Sequence, residues 1–170
     1  MNIRALCVSV AALLAGCGAT TTTTSYGDAT ADSTPAPFDV PLRTAYGEPV
    51  ELSELHGHTV LLYLFATFDL PSQAALEPLR EVAREHPELR VVGIALQPNA
   101  GELLPIFGSA LEVEFPLAYE PENLLLRGLT DVGQIAGVPT YVLLDSAGFI
   151  TQKAFGAMSA QALRQWCGLE

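Results

Sequence analysis

Thr59-Val60-Leu61-Leu62-Tyr63-Leu64-Phe65-Ala66-Thr67-Phe68-Asp69-Leu70-Pro71-Ser72 is the stretch on which the reading of the fold turns. Its first half, Thr59 to Phe65, is a continuous apolar run of strand formers without polar alternation. That is the pattern of a central strand covered on both faces. Its second half starts a helix. Asp69 or Leu70 precedes it, and Pro71 sits in the first turn, where a missing N–H is tolerated. Ala75, Leu76, Leu79, Val82 and Ala83 then recur at helical spacing up to His86, and Pro87 ends the run. Pro78 falls inside this helix and is expected to kink it.

Working outward, Val40 to Leu55 reads as a hairpin region, with Gly47-Glu48 at the turn and Val50-Glu51-Leu52 alternating. Leu89 to Leu96 reads as the next buried strand, Ala100 to Leu111 as a second helix and Phe115 to Tyr119 as a short strand. Asn123 to Gln134 is expected to be helical, with Leu124, Leu125, Leu129 and Val132 inward. Thr140–Leu144 and Phe149–Phe155 form a hairpin around Ser146-Ala147-Gly148. Ser159 to Cys167 is a closing helix with Ser159 as its N-cap. This order predicts an α/β fold: a mixed sheet with helices on both faces and an N-terminal hairpin.

The N-terminus carries a different kind of information. Arg4, the apolar run Ala5 to Ala15 and Leu14-Ala15-Gly16-Cys17 are built like a bacterial export signal. The run is too short to span a bilayer. The last four residues resemble the lipobox of bacterial lipoproteins, which implies cleavage before Cys17 and acylation of its sulfur. Residues 1–16 are then signal peptide, and the protein is anchored to the membrane through Cys17. Gly18 rather than Asp after the cysteine resembles outer-membrane cargo in a Gram-negative host. Residues 17–37, with threonine at every position from Thr20 to Thr24, lack the large apolar residues a core needs. They read as a tether, reaching about 25 Å for roughly 20 residues. The folded domain is expected over residues 38–170.

Acids outnumber bases 19 to 8, for a formal charge of −11. That balance argues against nucleic acid, because phosphate contacts need clustered Lys and Arg, and against electrostatic adhesion to anionic lipid. With Cys7 in the signal and Cys17 acylated, Cys167 is the only thiol of the body and cannot form an internal disulfide.

The body resembles the TlpA/ResA-type branch of thioredoxin-like proteins. Phe38-Asp39-Val40-Pro41-Leu42 stands at the family's opening, and Gly47 to Leu55 at its hairpin. Phe65-Ala66-Thr67-Phe68 stands where the family has Phe-Trp-Ala-Thr-Trp. Gly137-Val138-Pro139-Thr140 matches its Gly-Val-Pro-Thr loop, and Leu144-Asp145-Ser146-Ala147-Gly148-Phe149-Ile150 its following turn. The resemblance implies a thioredoxin fold with an insertion after the first βαβ unit. It also implies a cis Pro139 lying against the start of the Pro71 helix.

The chain departs from the family at the reaction site. Where the family has Cys-x-x-Cys, this chain reads Asp69-Leu70-Pro71-Ser72. The first sulfur of such a pair attacks a disulfide and the second resolves the mixed intermediate. Neither a carboxylate nor a hydroxyl can do this. Asp is, however, a preferred N-cap and complements the positive helix end, at about 1 kcal/mol. No catalytic residues are therefore expected at Asp69 and Ser72. The surface formed by Phe68, Asp69, Leu70, Val138, Pro139 and Thr140 is expected to remain as a groove for an extended peptide or a partner protein.

Other clusters read as structural. His56 and His58 flank Gly57 at a turn, His86 stands alone, and Asp69 with Ser72 offers too few ligands, so no metal and no cofactor is expected. Glu120 and Glu122 look like loop residues starting a helix, Glu81 and Glu85 like solvated surface, and Trp166 like packing for the last helix. The chief expectation is a non-catalytic, membrane-anchored module of the cell envelope. Two alternatives stand beside it: a thiol oxidoreductase or peroxidase using Cys167 in an unusual way, and a purely structural envelope protein.

Overall fold

The computed structural model describes residues 36–169. The expected signal peptide, Cys17 and nearly all of the expected tether lie outside them. No described helix is long and apolar enough to cross a membrane.

The strands are β1 (Leu42–Thr44), β2 (Pro49–Val50), β3 (Val60–Phe65), β4 (Arg90–Ala95), β5 (Leu117–Tyr119), β6 (Thr140–Leu144) and β7 (Ile150–Phe155). The helices are α1 (Leu70–Ala74), α2 (Leu76–Glu85), α3 (Ala100–Ala110) and α4 (Ala160–Cys167). The strands form one mixed sheet in the order β2-β1-β5-β4-β3-β6-β7. β3 lies parallel to β4 and antiparallel to β6, with Leu64 opposite Ile94 on one side and Thr140 on the other. Every residue of β3 is buried, as its unbroken apolar run requires.

Side-chain alternation along the strands divides the core in two. Leu61, Tyr63, Phe65, Tyr141 and Leu143 face the layer of Leu76, Leu79, Leu104, Phe107 and Leu163 from α2, α3 and α4. Val60, Leu62, Leu64, Val142 and Leu144 face Phe38, Val40, Leu52, Leu125 and Val132. The second face is thus covered by the N-terminal segment, a 3-10 turn at Leu52–Leu55 and the connection from β5 to β6.

That connection corrects one expectation: Asn123 to Gln134 is not a helix. One turn forms after Asn123, with the Arg127 amide donating to the Asn123 carbonyl at 3.0 Å. Gly128 then adopts φ +66°. Its amide donates to Leu125 at 3.1 Å and the Leu129 amide to Leu124 at 2.9 Å, the paired bonds that close a helix C-terminus. A second turn ends at Gly133, φ +69°. Leu125 and Val132 are buried as expected, whereas Leu129 is exposed.

The hairpin also stops earlier than its alternation suggested. Pairing ends at Leu42 opposite Val50, and the chain turns into Leu52–Leu55. The Pro71 helix is interrupted rather than only kinked, dividing at Ala75. Pro78 has no N–H for the carbonyl four residues back and its ring crowds it, so the break falls just upstream.

Candidate functional site

Asp69 caps α1. Its backbone is extended, φ −87° and ψ 117°, and its Oδ2 accepts hydrogen bonds from the Ser72 amide at 2.8 Å and the Ser72 hydroxyl at 2.7 Å. Ser72 is fully buried, so its hydroxyl depends on that acceptor. Its carbonyl in turn accepts from the Tyr63 hydroxyl. Tyr63 lies wholly inside the core; burial first, and neighbouring Tyr141 second, push its phenol far above the ordinary range. Tyr63 therefore stays a neutral donor that holds the helix start from below.

The turn leading into α1 is clasped from two sides. The Thr67 amide donates to Gln97 Oε1 at 2.6 Å and Gln97 Nε2 donates to Thr67 Oγ1 at 2.8 Å. Gln73 Nε2 donates to the Thr67 carbonyl at 2.7 Å. Gln97 is buried two residues past the end of β4. The sequence reading missed Tyr63, Gln73 and Gln97 as supports. The one available signal was a glutamine directly after the buried run Leu89–Leu96.

The β3–β6 register, with Leu64 opposite Thr140, brings Pro139 alongside the chain leaving β3. The Val138–Pro139 peptide is cis. Thr140 is buried and its hydroxyl donates to the Gly137 carbonyl at 2.6 Å, so it braces the loop rather than facing outward. The Gly156 amide donates to the Pro139 carbonyl at 2.8 Å. The Phe155 ring packs on Gly137 so closely that a Cβ there would meet it at 2.9 Å. Val138 is half-buried, and its own amide and carbonyl take part in none of the loop and turn backbone hydrogen bonds among the described residues. Phe68 and Leu70, on either side of Asp69, are 73% and 75% exposed. Phe68, Asp69 and Leu70 thus share one end of the sheet with Val138 and Pro139, and Cys17 falls outside the described residues.

This arrangement holds no sulfur and no imidazole. Cys167 is buried on α4, and burial pushes its thiol up to about 11. His86 pairs with Glu88 at 3.0 Å and His56 packs on Gly148. Among the described residues no group of three His, Cys, Asp or Glu side chains is placed to hold a metal. Glu120, expected to begin a helix, is instead buried and caps a turn, accepting from the amides of Glu122 at 2.6 Å and Leu125 at 3.2 Å. A cleft of about 690 Å³ lies at the far end of the sheet between Val50, Leu55, Val91 and Phe115. Another of about 600 Å³ lies beside Gln97, Tyr119 and Glu120. Neither includes Asp69, Ser72 or Pro139 in its lining.

No family model matches the chain. It is similar to a thiol-disulfide oxidoreductase ResA of Halalkalibacterium halodurans, 28% identical over 126 residues that span 72% of this chain and 68% of the relative. A thiol-disulfide oxidoreductase ResA of Bacillus cereus is 26% identical over 118 residues, 69% of this chain and 66% of the relative. Among solved structures, StoA from Bacillus subtilis matches with a TM-score of 0.59 at 22% identity, covering 74% of this chain and 93% of that one. The exposed lipoprotein thioredoxin of Streptococcus pneumoniae matches with a TM-score of 0.65 at 21% identity, covering 76% and 98%. At these identities the structural matches show the fold, which is thioredoxin-like.

Proposed function

We propose, for a chain that is a thioredoxin-like protein of the TlpA/ResA type, that the surface around Asp69 binds an extended polypeptide without exchanging disulfides. One observation carries this reading. At the helix start, where the resemblance puts two sulfurs, a carboxylate and a buried hydroxyl are bonded to each other. Mixed-disulfide chemistry needs a thiolate there. The surroundings favour a docked strand: Val138 offers an amide and a carbonyl for strand addition, and exposed Phe68 and Leu70 offer apolar contact.

The names of the ResA relatives favour a second reading, thiol–disulfide oxidoreduction. Cys167 would have to supply the sulfur. With its thiol pushed up to about 11, it is protonated at neutral pH and buried on α4. Insulin reduction separates the two readings. The expected outcome is no acceleration by the wild-type protein and clear turnover by Asp69→Cys/Ser72→Cys, which places a pair of sulfurs at the helix start. Wild-type turnover that disappears in Cys167→Ser would establish the second reading instead.

The same proposal places the protein outside the cytoplasm, anchored through acylated Cys17. It is supported by Leu14-Ala15-Gly16-Cys17 and by the exposed lipoprotein among the structural matches.

A further inference from the structure

We propose that the cleft at the far end of the sheet takes up an extended polypeptide segment of a partner, which adds to β4 as a short antiparallel strand opposite Val91. The site lies at the other end of the sheet from Asp69 and does not rest on the reading above.

β4 is paired unequally along its two edges. Its ladder with β3 runs from Arg90 to Ala95, whereas its ladder with β5 begins only at Gly93, opposite Leu117. The N–H and C=O of one residue point to the same edge, and the edge alternates along a strand. The Arg90 amide donates to Thr59, on the β3 side, and the Gly93 amide to Pro116, on the β5 side, both at 2.9 Å. The Val91 N–H and C=O therefore point to the β5 side, and neither has a hydrogen bond among the described residues. β5 cannot continue the ladder to meet them. The same register sets Val91 opposite Phe115, and the nitrogen due to the Val91 carbonyl is that of Pro116, which carries no hydrogen. The place of the missing strand is open and forms part of the cleft of about 690 Å³. Val91 is only 6% exposed, so its donor and acceptor are costly to leave unmet.

A donor and an acceptor on one residue, at one edge, are met together by a single residue of an antiparallel strand. Alternation then places the side chains. That of the residue opposite Val91 falls on Val91's own face of the sheet, beside Ala83 and Phe115. Those before and after it fall on the other face, beside Val50 and Leu55. All three meet apolar walls, whereas the rim is acidic. Glu51 and Glu54 border the cleft, are exposed and form no ion pair among the described residues. Glu114 is paired with Arg84, and Arg90 is the one base among the residues of the lining. The segment that fits has three apolar residues in a row, with basic rather than acidic residues beyond them.

The peptide Lys-Thr-Val-Val-Val-Thr-Lys, blocked at both ends, tests this with the full chain by amide hydrogen exchange and fluorescence anisotropy. In the free protein the Val91 amide is expected to exchange faster than that of Gly93. Saturating peptide should slow it about tenfold and leave the Val138 amide unchanged. Methylating the nitrogen of the central valine should weaken binding about tenfold. Methylating the valine before it, whose N–H points away from β4, should not. Glutamates in place of the two lysines should weaken binding about fivefold, and Glu51→Lys/Glu54→Lys should reverse that preference. Equal effects of the two methylations, or a Val91 amide that the peptide does not slow, overturn the proposal. Protection at Val138 in place of Val91 overturns it too, and leaves the reading of the Asp69 surface standing.

Discussion

Asp69 is held by what it accepts, and Ser72 by what it donates to. Removing the carboxylate therefore has two costs. A helix loses its cap, at about 1 kcal/mol, and a buried hydroxyl loses its acceptor, at about 1–2 kcal/mol. Asp69→Ala is expected to lower unfolding stability by roughly 2–3 kcal/mol in urea titrations. Asp69→Asn, which can still accept both bonds, should stay within about 1 kcal/mol of wild type. Equal stability of Asp69→Ala and wild type would show that the bonds to Ser72 contribute nothing. At this scale the sequence was informative where chemistry is local. Asp69 before Leu70-Pro71 signals a helix start on its own, and the structure has it as the cap. The Thr67–Gln97 clasp spans 30 residues and leaves no local trace, so Gln97 went unread.

The connection from β5 to β6 shows how an element can satisfy a periodicity without adopting it. Leu124, Leu125, Leu129 and Val132 fit a helical stripe, but Gly128 and Gly133 take positive φ and close two separate turns. Both glycines stand in the sequence, and each ends a turn that the leucine spacing alone would carry on. What then fixes the segment is polar. Glu120 caps its first turn. The Lys153 amine reaches back from β7 to the carbonyls of Val132 at 2.7 Å and Gln134 at 3.1 Å. Nothing in the sequence around Lys153 announces this, because its partners lie some 20 residues upstream. Lys153→Met is expected to speed hydrogen exchange at the amides of residues 130–136 while the amides of β3 and β4 keep their protection. Unchanged exchange in that segment would mean that packing of Leu125 and Val132 alone holds it. Because the segment runs directly into Val138 and Pro139, loosening it should also weaken binding at the Asp69 surface.

For the whole molecule, the sequence showed the doubly covered strands clearly, since a strand buried on both faces must be apolar throughout. It showed less of how the sheet is covered. That Phe38, Leu52 and Leu125 close one face is decided by packing between segments far apart in the chain. The lipidation proposed for Cys17 belongs to this scale. Labelled palmitate is expected to enter the wild-type protein in a bacterial host and not Cys17→Ser, which should be found free of the membrane fraction. Label in both would remove the anchor from the proposal.

The folded domain takes up its chain at Phe38, whose amide donates to the Gly148 carbonyl at 2.8 Å, in the turn that follows β6. Leu144, the last residue of β6, pairs with Val60, the first of β3, whereas Asp69 follows Phe65, the last. Entry point and Asp69 surface therefore stand at opposite poles, separated by the length of β3, about 20 Å at the usual rise per residue. Were the anchor proposed for Cys17 present, the chain that bears it would leave the domain at the end opposite the binding surface proposed around Asp69 and so would not cover it.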